Sequence, residues 1–296
     1  MNRILLIVVL TVLITVYSFP QNESTDKTLL IRCDDIGMSH GVNQAAKELI
    51  DAGLKFSASV MVPCSWFDEA VDILKDNPQI SVGIHLTLNS EWKNYRWGPV
   101  AGVSAVPSLV DSVGYFFPSR ASFFANNPKL DEVELELRAQ IEKAIKAGLK
   151  ISYLDYHMGT AVDNMEMRKI VEKLATEYDL AISRYFGEVD IESMYSIDIE
   201  EKENHLLKTL DELKEDQLNL LVCHIAKDND EMKAMIDLNP FGLKEMSRHR
   251  EAELNALLSS VRNDEFRKRG ITLINYDDLI KEKGLESMKS PVDSGY

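Results

Sequence analysis

A (β/α) barrel, TIM-like and built on about seven parallel strands, is the α/β fold this sequence predicts, and three observations predict it. Short apolar runs with strand character alternate with helix-period segments from Leu29 to Tyr276, the signature of parallel strands joined by helical crossovers. No second composition regime interrupts the alternation, so one barrel-sized domain fits the 296 residues better than two. No glycine-rich phosphate loop follows any strand, which weighs against the alternative, an open doubly wound sheet.

The first strand is expected over residues 29–33, a buried apolar run ending in the adjacent acids Asp34 and Asp35 and then Gly37. Two carboxylates side by side at a strand tip raise one another's pKa, and desolvation adds to the cost. A metal ion or a reacting proton offsets that cost, which points to a metal-assisted hydrolase. The plainer reading, a helix N-cap beside a solvated acid, stays open at this stretch alone.

Helix-period spacing follows over 42–52, closed by Gly53. A second strand is expected over 57–62, stopped by Pro63, then a short helix over 66–74. The third strand, 80–88, carries His85 near its end. From 89 to 128 the periodicity fails in a segment rich in tryptophan, tyrosine and phenylalanine. An insertion this long is usually functional. Its aromatic rings suit either the apolar faces of sugars or packing onto the barrel rim.

An amphipathic helix is expected over 130–147. The fourth strand, 151–157, carries Asp155 and His157 two apart and so on one face. A helix over 164–178 leads to a short strand, 180–185, with Arg184. A helix over 200–213 leads to the strand 218–225 with His224, and a long charged helix over 244–268 to the last strand, 271–276. The barrel domain is expected to occupy 27–285, and 286–296 to be a frayed tail.

Met1-Asn2-Arg3 followed by an apolar run over 4–17, broken only by Thr11 and Thr15, reads as a secretory signal peptide over 1–20. The run is short for a spanning helix, and an uncleaved membrane anchor is the alternative. Export is therefore expected. Cys33, Cys64 and Cys223 are odd in number and are expected as buried free thiols. The formal charge of −15 argues against nucleic acid or anionic membrane as the main partner. Nothing in the sequence sets the oligomeric state, and a homodimer stays open.

The strand tips converge on one face of a parallel barrel, which is where active sites form. One carboxylate and two imidazoles make a facial ligand set with open positions for water and substrate. The metal ligands are therefore assigned as Asp35, His85 and His157, with zinc suited to the nitrogens and magnesium or manganese kept open. Asp34 is assigned as general base, His224 as the group that protonates a leaving amine, and Arg184 as the partner that holds Asp34 ionised. Asp155 is placed to orient His157.

Cys33-Asp-Asp-Ile-Gly-Met-Ser-His-Gly-Val-Asn43 resembles the opening motif of the YdjC/ChbG carbohydrate deacetylases. Val82-Gly-Ile-His-Leu-Thr-Leu88 is similar to their second motif, Leu154-Asp-Tyr-His157 to the start of their third, and Val222-Cys-His224 to their last. The resemblance implies a polysaccharide-deacetylase-type barrel and divalent-metal-dependent removal of acetyl from N-acetylated amino sugars such as chitooligosaccharides. It implies the same roles for Asp34, Asp35, His85, His157 and His224. Two features depart from the pattern. Gly159 and Ala161 stand where that family's third motif usually has further histidines, and Ile36 stands where it usually has phenylalanine. A glycoside hydrolase with two carboxylates and a catalytically silent sugar-binding protein are the competing readings.

Overall fold

The structure is a computed structural model and describes residues 27–291. The signal peptide read over 1–20 lies outside the described residues. Eight strands form one parallel sheet: β1 (Lys27–Ile36), β2 (Ser57–Val60), β3 (Ser81–Leu86), β4 (Ile151–Tyr156), β5 (Ala181–Ile182), β6 (Val189–Asp190), β7 (Leu218–Cys223) and β8 (Ile271–Ile274). Their order is β5-β4-β3-β2-β1-β7-β6. β8 pairs with Lys27 to Leu30 of β1 on the edge that β2 takes over further along, at Arg32 to Ile36. The expected barrel-like α/β fold is therefore present. β6 adds to the seven expected strands; it is two residues long and exposed, so it carries no apolar run to signal it.

β1 shows why the fold forms as it does. Leu29, Ile31 and Cys33 point outward into the large core beneath the helices. Leu30 joins Tyr153, Leu220, Tyr276 and Leu279 in a separate inner cluster, and Arg32 and Asp34 continue that inner face with period two. Tyr153 and Tyr276 stack with ring centroids 4.1 Å apart, and Tyr153 shares a 2.8 Å hydrogen bond with Ser59. Gly83 makes room for this inner layer. A Cβ there would lie 2.3 Å from the Tyr153 ring.

Between β5 and β6 the sheet is bridged by side chains. Arg184 donates twice to Asp190, each at 2.7 Å. Tyr276 donates to Glu188 at 2.9 Å, and Arg32 donates to Ser183 at 2.7 Å.

The insertion folds against the barrel rather than standing free. Trp92, Trp97, Phe116 and Phe123 are buried, so packing is the role of these aromatics. Glu136 of the helix Leu130–Lys146 accepts from the backbone of Val100 and Ala101 at 3.0 and 2.8 Å. The three cysteines are buried and free, as expected. The segment expected to fray after residue 285 is instead docked as far as Lys289. Met288 packs on the core, and the Lys289 backbone donates to Tyr185 O at 2.8 Å. Among the described residues no helix is long and apolar enough to cross a membrane.

Candidate metal centre

Simple alternation places Asp34 and Asp35 on opposite faces of β1. The structure overrides this with a bulge. Cys33 pairs with Ala58 and Ile36 with Val60, so β1 spends one residue more than β2 over the same span. Asp35 sits in the left-handed region, φ +66°, a conformation that aspartate tolerates better than most residues. Both acids consequently line one cavity of about 320 Å³, together with His85, Glu91, His157, Tyr195, His224 and Arg250.

Three ligand atoms converge at its floor. His85 Nε2 and His157 Nδ1 each lie 3.4 Å from Asp35 Oδ1, and 3.3 Å from one another. Facial ligands about 2.1 Å from a divalent ion are separated by about 3.0–3.4 Å, so the spacing fits one shared cation. Asp35 Oδ1 is buried and has no hydrogen-bond partner among the described residues. An orphaned carboxylate oxygen facing two imidazole nitrogens fits metal ligation.

Each ligand is oriented from behind. His85 Nδ1 is 2.8 Å from Asp155 Oδ2, and His157 Nε2 is 3.0 Å from Glu91 Oε2. Each pairing turns the other ring nitrogen toward the shared point, the arrangement that fixes ring orientation at metal sites. Asp155 thus orients His85, not His157 as expected; Glu91 takes the second role. Arg250 Nη2 donates to Asp35 Oδ2 at 2.7 Å.

The expected pairing of Arg184 with Asp34 is not made. Arg32 holds Asp34 instead, through Nε at 2.7 Å and Nη2 at 2.8 Å. β5 ends at Ile182, and Arg184, at φ +72°, extends its guanidinium to Asp190. Burial alone would raise the Asp34 carboxyl, but the Arg32 guanidinium, together with His85 and His224, outweighs it and holds the acid down at about 2. Burial also works against the charged forms of the two ligand rings. Asp155 and Asp34 outweigh it at His85, which is pushed up to about 10, and Glu91 and Asp35 outweigh it at His157, pushed up to about 9.

His224 follows β7 across the cavity. Its ring meets Tyr195 edge-on at 5.3 Å, and its Nδ1 is buried without a partner among the described residues. Burial lowers its pKa, so the ring is neutral at neutral pH. Its backbone N–H donates to Glu253, which pairs with the buried Lys202 at 3.3 Å.

Sequence reasoning missed Arg32, Glu91 and Arg250. Arg32 carried a signal, since a residue two before Asp34 shares its face. Glu91 lies in the aperiodic insertion and Arg250 in the helix Met246–Arg262, and neither stands on a strand tip.

The model of the family described as YdjC-like protein matches residues 28–267. The chain belongs to that family. The YdjC-like match covers every site residue named above. A carbohydrate deacetylase from Enterococcus faecalis V583 is 29% identical over 269 residues, covering 86% of this chain and 99% of its own. One from Brevibacillus brevis is 36% identical over 154 residues, covering 52% of this chain and 58% of its own. A crystal structure from Enterococcus faecalis V583, of a protein provisionally described as cleaving cellobiose-phosphate, superposes with a TM-score of 0.70 at 25% identity. It covers 86% of this chain and 99% of its own.

Proposed function

We propose that this YdjC-like chain is a divalent-metal-dependent hydrolase that removes the acetyl group from an N-acetylated amino sugar or oligosaccharide. The observation that carries the reading is the meeting of Asp35 Oδ1, His85 Nε2 and His157 Nδ1 within 3.4 Å of one another, beside an acid kept ionised by Arg32. The relatives named carbohydrate deacetylase support the substrate class. The leader-like residues 1–20 support export.

Asp35, His85 and His157 would hold the ion, and their mixed nitrogen and oxygen donors suit zinc or magnesium. Bound there, such an ion polarises a carbonyl and makes water more acidic. Asp34 is the base. Arg32 fixes both its oxygens and leaves lone pairs to accept the proton of the attacking water. His224 is neutral at rest and unpartnered at Nδ1. It passes the proton to the sugar nitrogen as the C–N bond breaks, leaving acetate and a free amine. Asp34, Asp35, His85 and His157 are buried, which strengthens each of these interactions.

Acetate release from a panel of N- and O-acetylated sugars tests the reading, using chelated protein with zinc, magnesium or manganese added back. Turnover should vanish on chelation and return with one of the ions, and Asp34→Asn should abolish it. Full turnover by metal-free protein, or by Asp34→Asn, overturns the mechanism.

A further inference from the structure

We propose that Arg250 is a catalytic residue: its free N–H donors bind the acetyl oxygen of the substrate and stabilise the negative charge that develops on it. The inference rests on the deacetylase reading above and adds a residue to it.

Arg250 is 3% exposed and lies on the buried face of the helix Met246–Arg262, along with Met246, Ser247, Glu253, Leu254 and Leu257. A guanidinium has five N–H donors, and burying them unpaired is costly. Among the described residues only Nη2 is engaged, by Asp35 Oδ2 at 2.7 Å. Nε and Nη1 are buried and have no partner among the described residues. The side chain lines the cavity shared by Asp34, Asp35 and His224. Arg250 Cζ lies over the Trp92 ring, 5.7 Å from its centroid. Trp92 is itself buried and tied by a bridge to Asp237.

Supporting Asp35 takes one donor, and a lysine would supply it. The unused donors can be satisfied only by an atom with lone pairs. In this cavity the acceptor whose charge grows during the reaction is the amide oxygen. Water adds to the carbonyl carbon and gives its proton to Asp34. The carbonyl oxygen gains the electron pair of the opened C=O bond, and Arg250 donates to it. The pair then returns as the C–N bond breaks, the nitrogen takes the proton through His224, and acetate leaves. Donors fixed in place before charge develops are the most effective kind.

Arg250→Lys and Arg250→Gln separate this role from simple support of Asp35. The measurements are metal affinity, kcat and KM at saturating metal, and affinity for acetate, the product anion, in metal-loaded protein. Thermal melts establish that each variant folds. Arg250→Lys keeps a cation beside Asp35, so metal affinity should stay near wild type. Its kcat should fall about 10²–10³-fold with KM little changed, and acetate should bind about ten- to a hundredfold more weakly. Arg250→Gln should lose turnover and acetate binding as well, and should bind metal more weakly.

Arg250→Lys turning over like wild type overturns the proposal. So does a loss of turnover that extra metal fully restores, because Arg250 then acts only through Asp35. A loss of affinity confined to substrates bearing a carboxylate or phosphate also overturns it, because Arg250 then reads a substituent. If wild type releases acetate from no sugar, the deacetylase reading fails instead. Unchanged acetate binding in both variants then rejects the Arg250 contact on its own evidence.

Discussion

Asp35 holds a left-handed backbone at φ +66° that most residues pay to adopt. In return its two oxygens divide their work. Oδ2 takes Arg250, and Oδ1 stays free between two imidazoles. Neighbouring side chains complete the arrangement, and their contributions are separable. Glu91→Gln removes the carboxylate charge behind His157 and should weaken divalent-ion affinity by about ten- to a hundredfold, as read by chelator competition. Unchanged affinity would mean that Glu91 does not set the orientation of that ring. Asp34 makes a prediction of the opposite kind. Its folded pKa, about 2, lies below the ordinary carboxyl value of about 4. Its stabilising pairing with Arg32 is therefore complete above about pH 4 and is lost as pH falls through about 2. Urea unfolding of wild type and Asp34→Asn between pH 7 and pH 2.5 should converge as pH falls, the wild type losing about 2 kcal/mol more than the variant. Parallel curves would contradict the pairing.

At the scale of elements, the strand tips were the legible part of the sequence. Short apolar runs with strand character located β1, β3, β4 and β7, and their ends delivered Asp34, Asp35, His85, His157 and His224 to one cavity. The same logic misplaced Arg184. β5 stops two residues earlier, and a left-handed turn carries the side chain to Asp190. The bulge in β1 was invisible, because alternation assumes an unbroken pleat. Glu91 and Arg250 were invisible for another reason. They meet His157 and Asp35 from positions 66 and 215 residues away, and no local pattern encodes such a contact. The inner layer beneath the site carries a testable constraint of its own. Gly83→Ala would drive a Cβ to 2.3 Å from the Tyr153 ring, and that ring is pinned by Tyr276 and Ser59. The substitution should cost about 1–3 kcal/mol of stability, measured by urea denaturation. An unaffected midpoint would show that the inner layer yields more freely than its packing implies.

For the whole molecule, a single curled sheet does two jobs with its two faces. The outward face of β1 and its neighbours builds the apolar core that supplies stability, and the inward face is graded from apolar at one end to ionic at the other. Leu30, Tyr153, Leu220 and Tyr276 fill the lower part. Arg32, Asp34, His85 and Asp155 follow above them in direct contact. The ionic layer therefore rests on a rigid floor, and rigidity is what holds three ligand atoms at a fixed spacing. The fold class was readable because alternating strands and helices leave few other topologies. The grading was only half readable, since the composition of the inner face depends on which strands become neighbours.

The most direct measurement is the anomalous scattering of protein crystals grown with zinc. The account predicts one peak per chain, bonded to Asp35 Oδ1, His85 Nε2 and His157 Nδ1, with Asp34 outside bonding distance. A peak on other atoms, or none when zinc saturates the protein in solution, would contradict it.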